Sequence, residues 1–229
     1  MEYGTAEKKW IREVEIFLTG EEETDRYQVL SYSIDFQSHA STPSFNLVEQ
    51  IGYVFDDIRL SIDKKTGKMV KVNNLPEIFK RWKETEKELL VLNRGAVVVN
   101  YCKQLESLLN REDAFIQFLT EYKMFGLYFN EMLQKDYLKT PSHSRIQNHH
   151  DFIEEVAMVE NWEKPYRKAN EKDSFIFKGE IHSEPPLDLK LGNFKYEGIF
   201  IKDKNRLTEG WVSLKNENKQ IQYSVLWVG

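Results

Sequence analysis

Histidine is the residue type in this chain best suited to bind a metal or to move a proton near neutral pH. Only His143, His149 and His150 lie close together in the sequence, with Asp151 adjacent. Neighbouring histidines point apart in a strand or a helix, and this spacing matches neither HExxH nor a related zinc motif. The sequence therefore predicts no metal site and no cofactor, and these side chains are expected to face water in a polar loop.

Carboxylates and a thiol are the other candidates for catalysis. Asp57 and Asp63 lie on one predicted hairpin, and paired carboxylates serve acid–base chemistry. They alternate with Ile58 and Leu60, however, as the solvent-facing residues of an ordinary strand do. Cys102, the single cysteine, follows an apolar run, which predicts a buried and unreactive thiol. The pattern therefore assigns no catalytic residue.

Sequence motifs for phosphate binding and nucleophilic catalysis are absent. KTGK at 65–68 lacks the upstream glycine and the strand-to-helix setting of a P-loop, and RGAVVVN at 94–100 does not match GxGxxG. No GxSxG segment occurs. A non-enzymatic role is therefore favoured. A hydrolase of unrecognised family, acting through residues 143–151 or 57–63, is the less favoured alternative.

The charge of the chain is unevenly distributed. Residues 1–25 hold eight acidic and three basic side chains, which equals the whole net charge of −5. The neutral remainder lacks the clustered Lys and Arg that nucleic acids and anionic membranes require, so neither is predicted as a partner. Glu21, Glu22 and Glu23 form either a solvated turn or a docking site for a basic partner protein.

Cysteine usage and the N-terminal segment bear on the compartment. A single cysteine allows no intrachain disulfide, and the first residues show no signal-peptide pattern. No stretch approaches the length and apolarity of a membrane span. A cytoplasmic location is the expectation, with an exported form that has lost its signal as the alternative.

Hydrophobic periodicity predicts a β-rich N-terminal part over 1–74. Two segments alternate with period two, which predicts strands with one buried face, formed by Trp10, Val14, Ile16 and Leu18 in the first and by Leu30, Tyr32, Ile34 and Phe36 in the second. Asn46 and Glu49 resemble a capping box, so 47–57 is assigned a short helix, with a strand left open. A hairpin turning at Gly67 then leads to a helix capped by Asn74.

The part over 75–138 is predicted to be helical. AVVVNYCKQLESLL at 96–109 starts with β-branched residues, which leaves open whether it begins as a strand or as a buried helical turn. Apolar and aromatic residues then recur at three- and four-residue intervals, which predicts one long amphipathic helix over about 112–137. Its aromatic face is expected either to pack in the core or to form a groove for an apolar ligand.

The remaining chain is divided into a loop and connector over 139–172 and a β-meander over 173–229. A short helix is predicted within FIEEVAMVENW at 152–162. Breaks near Gly192, at KDKN and at KNENK separate the strands of the meander, whose last strand is predicted to turn Ile221, Tyr223, Val225 and Trp227 inward. The four parts are expected to form one compact domain or two closely packed subdomains.

These elements define an α+β protein with N-terminal strands, a helical middle and a C-terminal antiparallel meander. The predicted function is protein–protein recognition, as in an adaptor, an inhibitor, an immunity-type protein or a chaperone. The alternative is a carrier that holds a small apolar molecule between the C-terminal sheet and the long aromatic helix. The residues assigned to such a pocket are Phe118, Tyr122, Phe129, Trp211, Tyr223 and Trp227.

Overall fold

The structure, a computed structural model, describes residues 8–38, 50–93, 95–134, 143–149, 152, 157–163, 172–182, 193–203 and 206–228. The chain separates into two compact units, Met1–Phe118 and Leu119–Gly229. The α+β class is confirmed, because a four-stranded antiparallel sheet and helices are followed by a separate six-stranded antiparallel sheet. The four-part division of the chain stays a prediction. No helix among the described residues is long and apolar enough to cross a membrane.

The sheet of the first unit has the strand order β1-β2-β3-β4. Its strands are β1 (Lys8–Glu21), β2 (Thr24–Ser38), β3 (Asp57–Asp63) and β4 (Met69–Val72). The predicted turn at the acidic tract joins β1 to β2, and Gly67, with φ of 69°, lies in the turn between β3 and β4. Val29, Ile58 and Leu60 are fully buried and form the inner face of this sheet.

The predicted buried face of β2 is wrong at Tyr32. The register with β1 shifts so that Glu13 lies opposite Ser33 and Val14 lies opposite Ser31, which makes Tyr32 the extra residue of a β-bulge. Its side chain is exposed, and its hydroxyl donates to Glu15 at 2.8 Å. A pattern of period two cannot be extended through a bulge, because the extra residue exchanges the two faces.

The first unit contains the helices α1 (Leu75–Leu92) and α2 (Ala96–Leu109) and all but the last residue of α3 (Glu112–Leu119). Residues 50–53 are helical as well, and 46–49, which held the predicted capping box, lie outside the described residues. Asn74 occupies the N-cap position of α1 without a side-chain cap bond. Its amide instead accepts from Arg59 N–H at 2.8 Å and donates to the Asp57 carbonyl at 3.0 Å, which ties α1 to β3.

The single helix predicted over 112–137 is wrong. Helix α3 ends at Leu119, turns occupy 120–128, and a short helix α4 covers Glu131–Gln134. Phe125 N–H bonds to the Leu119 carbonyl at 3.0 Å, a span too long for a helical turn. A Cβ at Gly126 would overlap the Thr120 carbonyl, so this close approach of the backbone requires glycine. The helical prediction failed because apolar residues keep their three- and four-residue spacing through the turns at 120–128, and spacing alone does not distinguish such turns from a helix.

The sheet of the second unit is a meander in which each strand pairs with the next along the chain. Its strands are β5 (His143–Asn148), β6 (Ala157–Trp162), β7 (Asp173–Ile181), β8 (Lys195–Asp203), β9 (Arg206–Lys215) and β10 (Gln220–Leu226). The strands predicted after residue 173 are confirmed. The loop predicted within 139–172 is wrong at 143–148, and the short helix predicted within 152–162 is wrong at 157–162, since both segments are strands.

Glycines let the second sheet bury large rings on its inner face. In the β7–β8 register Phe177 lies opposite Gly198, and Gly179 lies opposite Tyr196. A Cβ on either glycine would overlap the opposing ring. Such pairing of a ring with a glycine across two strands fills the space that the missing side chain leaves. The inner face is therefore closed by ring packing, together with buried residues from 122–133 such as Leu127 and Met132.

Candidate functional site

Glu160 is a fully buried carboxylate in the middle of β6, on the face that also carries Met158 and Trp162. It accepts hydrogen bonds from Tyr122 Oη at 2.6 Å and from Trp162 Nε1 at 2.9 Å. Arg145 Nε lies 2.5 Å from Oε2, Arg145 Nη2 lies 3.3 Å from Oε1, and the Tyr196 hydroxyl also donates to Oε1. An ionised carboxylate offers about four lone-pair positions, so Glu160 is saturated with donors.

Arg145 is the counter-charge of Glu160. The two residues lie directly opposite each other in the β5–β6 register, and the Arg145 side chain is 13% exposed. Its guanidinium carbon lies 5.5 Å from the centre of the Tyr122 ring and 5.7 Å from that of Trp162, within the range of cation–π attraction. The hydrogen bonds and the rings offset much of the desolvation penalty that any buried ion pair carries.

His149 extends this network towards the surface. The Tyr196 hydroxyl has one proton and donates it to Glu160, so the 2.7 Å contact with His149 Nε2 requires the imidazole to be the donor. Burial raises the pKa of Tyr122 and of Tyr196 well above the ordinary value, and the negative charge of Glu160 adds to both shifts. Both hydroxyls therefore stay protonated and act as fixed donors to the carboxylate.

A small cleft of about 20 Å³ lies at the His149 end of the network, with Tyr122, Gln147 and Tyr223 among its lining residues. That volume holds about one water molecule, far less than the several hundred Å³ that a small-molecule ligand needs. A saturated carboxylate behind a cleft of this size has no lone pair to offer to a substrate or a metal. The cluster therefore has a structural role: its hydrogen bonds hold β5, β6 and β8 against residues 119–134.

The residues assigned to an apolar pocket are only partly brought together. Tyr122 and Tyr223 meet, with ring centres 6.2 Å apart. Phe129 is buried beside Tyr128 at 5.0 Å between ring centres. Phe118 belongs to the first unit, where its ring lies 6.3 Å from that of Phe115.

The two tryptophans of the same assignment lie elsewhere. Trp211 follows Gly210 and precedes the buried Val212, which places it on the opposite face of β9 from the inner residues. Trp227 lies beyond the end of β10 rather than on its inner face, and the guanidinium carbon of Arg206 is 4.6 Å from the centre of its ring. The described part of the second unit thus contains no cavity lined by all the assigned residues, and the pocket stays a prediction.

The acidic residues assigned to partner binding lie at the end of the β1–β2 hairpin. Glu21, Glu22 and Glu23 are all exposed, and Glu22 forms an exposed ion pair with Arg26 at 2.5 Å. Exposed pairs of this kind contribute little to stability. The hairpin end is therefore accessible for recognition, and its role stays a prediction.

The remaining sequence candidates have structural partners. Asp57 accepts from Gln28 at 3.0 Å and from Arg59 at 3.1 Å, which keeps it within the sheet surface. Asp63 accepts from the Thr66 side chain and backbone at 2.7 Å each, and these bonds lower the pKa of its carboxyl. Cys102 is buried, and burial raises the pKa of its thiol. The described residues contain no group of three or more His, Cys, Asp or Glu side chains that could hold a metal ion, and His150 and Asp151 lie outside them.

Sequence reasoning missed an exposed apolar surface at the end of the α1–α2 hairpin. We name it the helical tip and define it by Leu90, Val91, Leu92, Val97, Val99 and Tyr101. Val91 is 77% exposed, Leu92 69% and Val97 83%. The signal was present in LLVL and AVVV on either side of NRG, because consecutive apolar residues in a helix cannot all face one core.

Comparison with protein-family models, with curated proteins and with solved structures gives no match for this chain. Function is therefore inferred from the side chains and their surroundings alone.

Proposed function

We propose that this chain is a protein–protein recognition module that binds another protein through its helical tip. The observation that carries the proposal is the exposure of Val91, Leu92 and Val97 beside one helix–helix connection. Large apolar residues that cluster on a surface favour interaction sites, whereas single ones need no explanation. Adaptor, inhibitor, immunity-type and chaperone roles in the cytoplasm all fit such a module.

The chemistry of the tip defines the partner surface. The exposed side chains of the tip are aliphatic apart from Tyr101, and the exposed charged residues Lys87 and Glu88 lie one helical turn before Val91 and Leu92. Asn93 donates to the Leu89 carbonyl at 3.1 Å and so closes the C-terminus of α1 without adding a charge. The partner is a different protein with an apolar pocket or groove, into which the tip inserts as the central, desolvated part of the interface.

Photo-crosslinking in the native host tests this proposal. A photoreactive phenylalanine analogue at Val97 is expected to give a covalent adduct with one discrete protein. The same analogue at Lys80, an exposed position on α1 away from the tip, serves as the matched control. The captured protein is then purified and its affinity measured with Val91→Asp and Val97→Asp variants. We expect each variant to weaken binding by about tenfold or more, and Lys80→Glu to have no effect.

The acidic hairpin end is compared in the same experiment. If Glu21→Lys, Glu22→Lys and Glu23→Lys together abolish binding while Val97→Asp does not, recognition belongs to the β1–β2 hairpin and the helical tip is excluded. Equal crosslinking from Val97 and Lys80, or full affinity in all variants, contradicts both surfaces. In the described part of the second unit, the cleft at the polar cluster has a volume of about 20 Å³, which is too small for the apolar ligand of the carrier alternative.

A further inference from the structure

We propose that β10 pairs antiparallel with β10 of a second copy of this chain, so that the six-stranded sheet continues across a symmetric dimer. This surface lies in the second unit and is separate from the helical tip, so it goes beyond the proposed function. The proposal follows from the direction of the backbone groups of β10, from the lack of any protection along it, and from its self-complementary sequence.

The backbone of β10 presents half of its hydrogen-bonding groups to an open edge. Hydrogen bonds of 2.9 Å flank the β9–β10 ladder, from Asn216 N–H to the Lys219 carbonyl and from Trp227 N–H to the Thr208 carbonyl. The register between them is unbroken, and bonded positions alternate in an antiparallel pair. Ile221, Tyr223 and Val225 therefore bond to β9. The groups that point to the other side, where no described strand pairs with β10, belong to Gln220, Gln222, Ser224 and Leu226.

The other sheet edges in the described ranges are protected against pairing. β1 carries charged residues and two register shifts. β4 has four residues, and its Val72 N–H is already bonded to Glu112 Oε1 at 2.9 Å. β5 turns the charged Arg145 inward. Short length, bulges, charges and inward-pointing charged residues are the devices that keep natural edges from pairing.

β10 has none of these devices. QIQYSVL contains no charged residue and no proline, and its register with β9 shows no shift. An uncharged strand of this length without a bulge is a template for a further strand. Since charge repulsion is absent, an identical strand meets no electrostatic penalty.

The sequence of β10 is complementary to itself about a twofold axis at Tyr223. In that register Gln222 lies opposite Ser224 of the second copy, and their outward N–H and C=O groups form a bonded pair. On the inner face Ile221 lies opposite Val225, a β-branched pair of the kind that stabilises adjacent strands. Every residue from Gln220 to Leu226 is paired with a residue of the second copy, so the interface is isologous and the assembly closes as a dimer.

Sedimentation velocity of the full chain over a concentration series tests the pairing. We expect a monomer–dimer equilibrium for the natural sequence. Ser224→Pro removes one outward N–H while leaving the bonds to β9, and it is expected to weaken dimerisation by about tenfold or more. Gln222→Lys with Ser224→Lys places like charges opposite each other in the dimer and is expected to act similarly, with partial recovery at high salt.

The control is Thr19→Lys, an exposed position on the protected edge strand β1, which is expected to leave the equilibrium unchanged. Circular dichroism shows whether the Ser224→Pro variant folds. If it does not fold, the variant with Gln222→Lys and Ser224→Lys tests the dimer instead. A natural chain that stays monomeric throughout, a dimer that survives the lysine pair, or loss of the dimer in Thr19→Lys would overturn the proposal. Assemblies larger than a dimer would also contradict it, because the pairing is closed.

Discussion

Two regions of the molecule differ from the usual pattern of buried apolar and exposed charged side chains. The inner face of the second sheet buries charge, and the helical tip of the first unit exposes apolar surface. Glu160 and Arg145 carry charge into a core, and Glu160 is fully buried. Val91 and Val97 instead leave apolar surface in water, at 77% and 83% exposure. Charged residues are almost never fully buried unless they are paired, and apolar clusters on surfaces favour interaction sites.

The comparison indicates that the buried charges stabilise the fold, whereas the exposed apolar residues are available for recognition. Besides Arg145, three donor side chains, those of Tyr122, Trp162 and Tyr196, bond to Glu160, so the energy of the buried pair is tied to the fold of this unit. The exposed valines make no such set of contacts, so replacing them costs the fold little. We therefore expect changes in the polar cluster to lower stability, and changes at the tip to alter recognition only.

The largest effect is expected from Glu160→Gln. The substitution leaves the Arg145 guanidinium buried without its counter-charge, which typically lowers the free energy of unfolding by about 3–5 kcal/mol. Urea unfolding followed by tryptophan fluorescence measures the change. Glu180→Gln, at an exposed position on β7, is the matched control and is expected to stay within about 0.5 kcal/mol. Equal effects of the two substitutions would show that Glu160 has no special role.

Gly179→Ala is expected to have the next largest effect. The added Cβ would overlap the Tyr196 ring, whose hydroxyl donates to Glu160, so the ring must move and strain the network. Overpacking of this kind costs about 1–3 kcal/mol, measurable as a lower Tm in calorimetry. Gly20→Ala is the control, because the nearest side-chain atom would be 3.5 Å from its new Cβ. A Gly179→Ala chain as stable as Gly20→Ala would mean that the Tyr196 ring adjusts freely.

A smaller, pH-dependent effect is expected from Asp63→Asn, which sharpens the contrast between a buried and an exposed carboxylate. Hydrogen bonds from Thr66 lower the pKa of Asp63 in the folded chain, so its contribution is present above the unfolded-state pKa. That contribution is lost as the pH falls through the lower folded-state pKa. The variant should therefore lose stability at neutral pH and match the natural chain in acid, as seen in unfolding series at several pH values. An equal deficit at every pH would exclude this linkage.

The smallest effect on stability is expected from Val97→Ser. The side chain is 83% exposed, and surface substitutions of this kind usually change the free energy of unfolding by less than about 0.5 kcal/mol. The same variant should lose affinity for the partner captured through the tip. Leu89→Ser, on the same hairpin but fully buried, is expected to destabilise the chain strongly. A large loss of stability in Val97→Ser would place this residue in a core and remove the basis of the tip proposal.

Much of the fold could be predicted from local pattern, and the polar cluster could not. The alternation of Ile58 and Leu60 predicted β3, and regular breaks predicted the strands after residue 173. β5 and β6 were missed because their inward positions include Arg145 and Glu160, which look solvent-facing to any rule based on polarity. Each can be buried only because the other lies opposite it in the register.

The sequence by itself determined the α+β class, the helix that begins after Asn74 and the strands with a regular alternation of polarity. These features depend on neighbours a few residues away, whose propensities and periodicity act locally. The tertiary structure alone decided the bulge at Tyr32, the end of α3 at Leu119 and the burial of Glu160. Those outcomes depend on partners distant in the sequence, and whether a charge or a ring is buried follows from what the fold places against it.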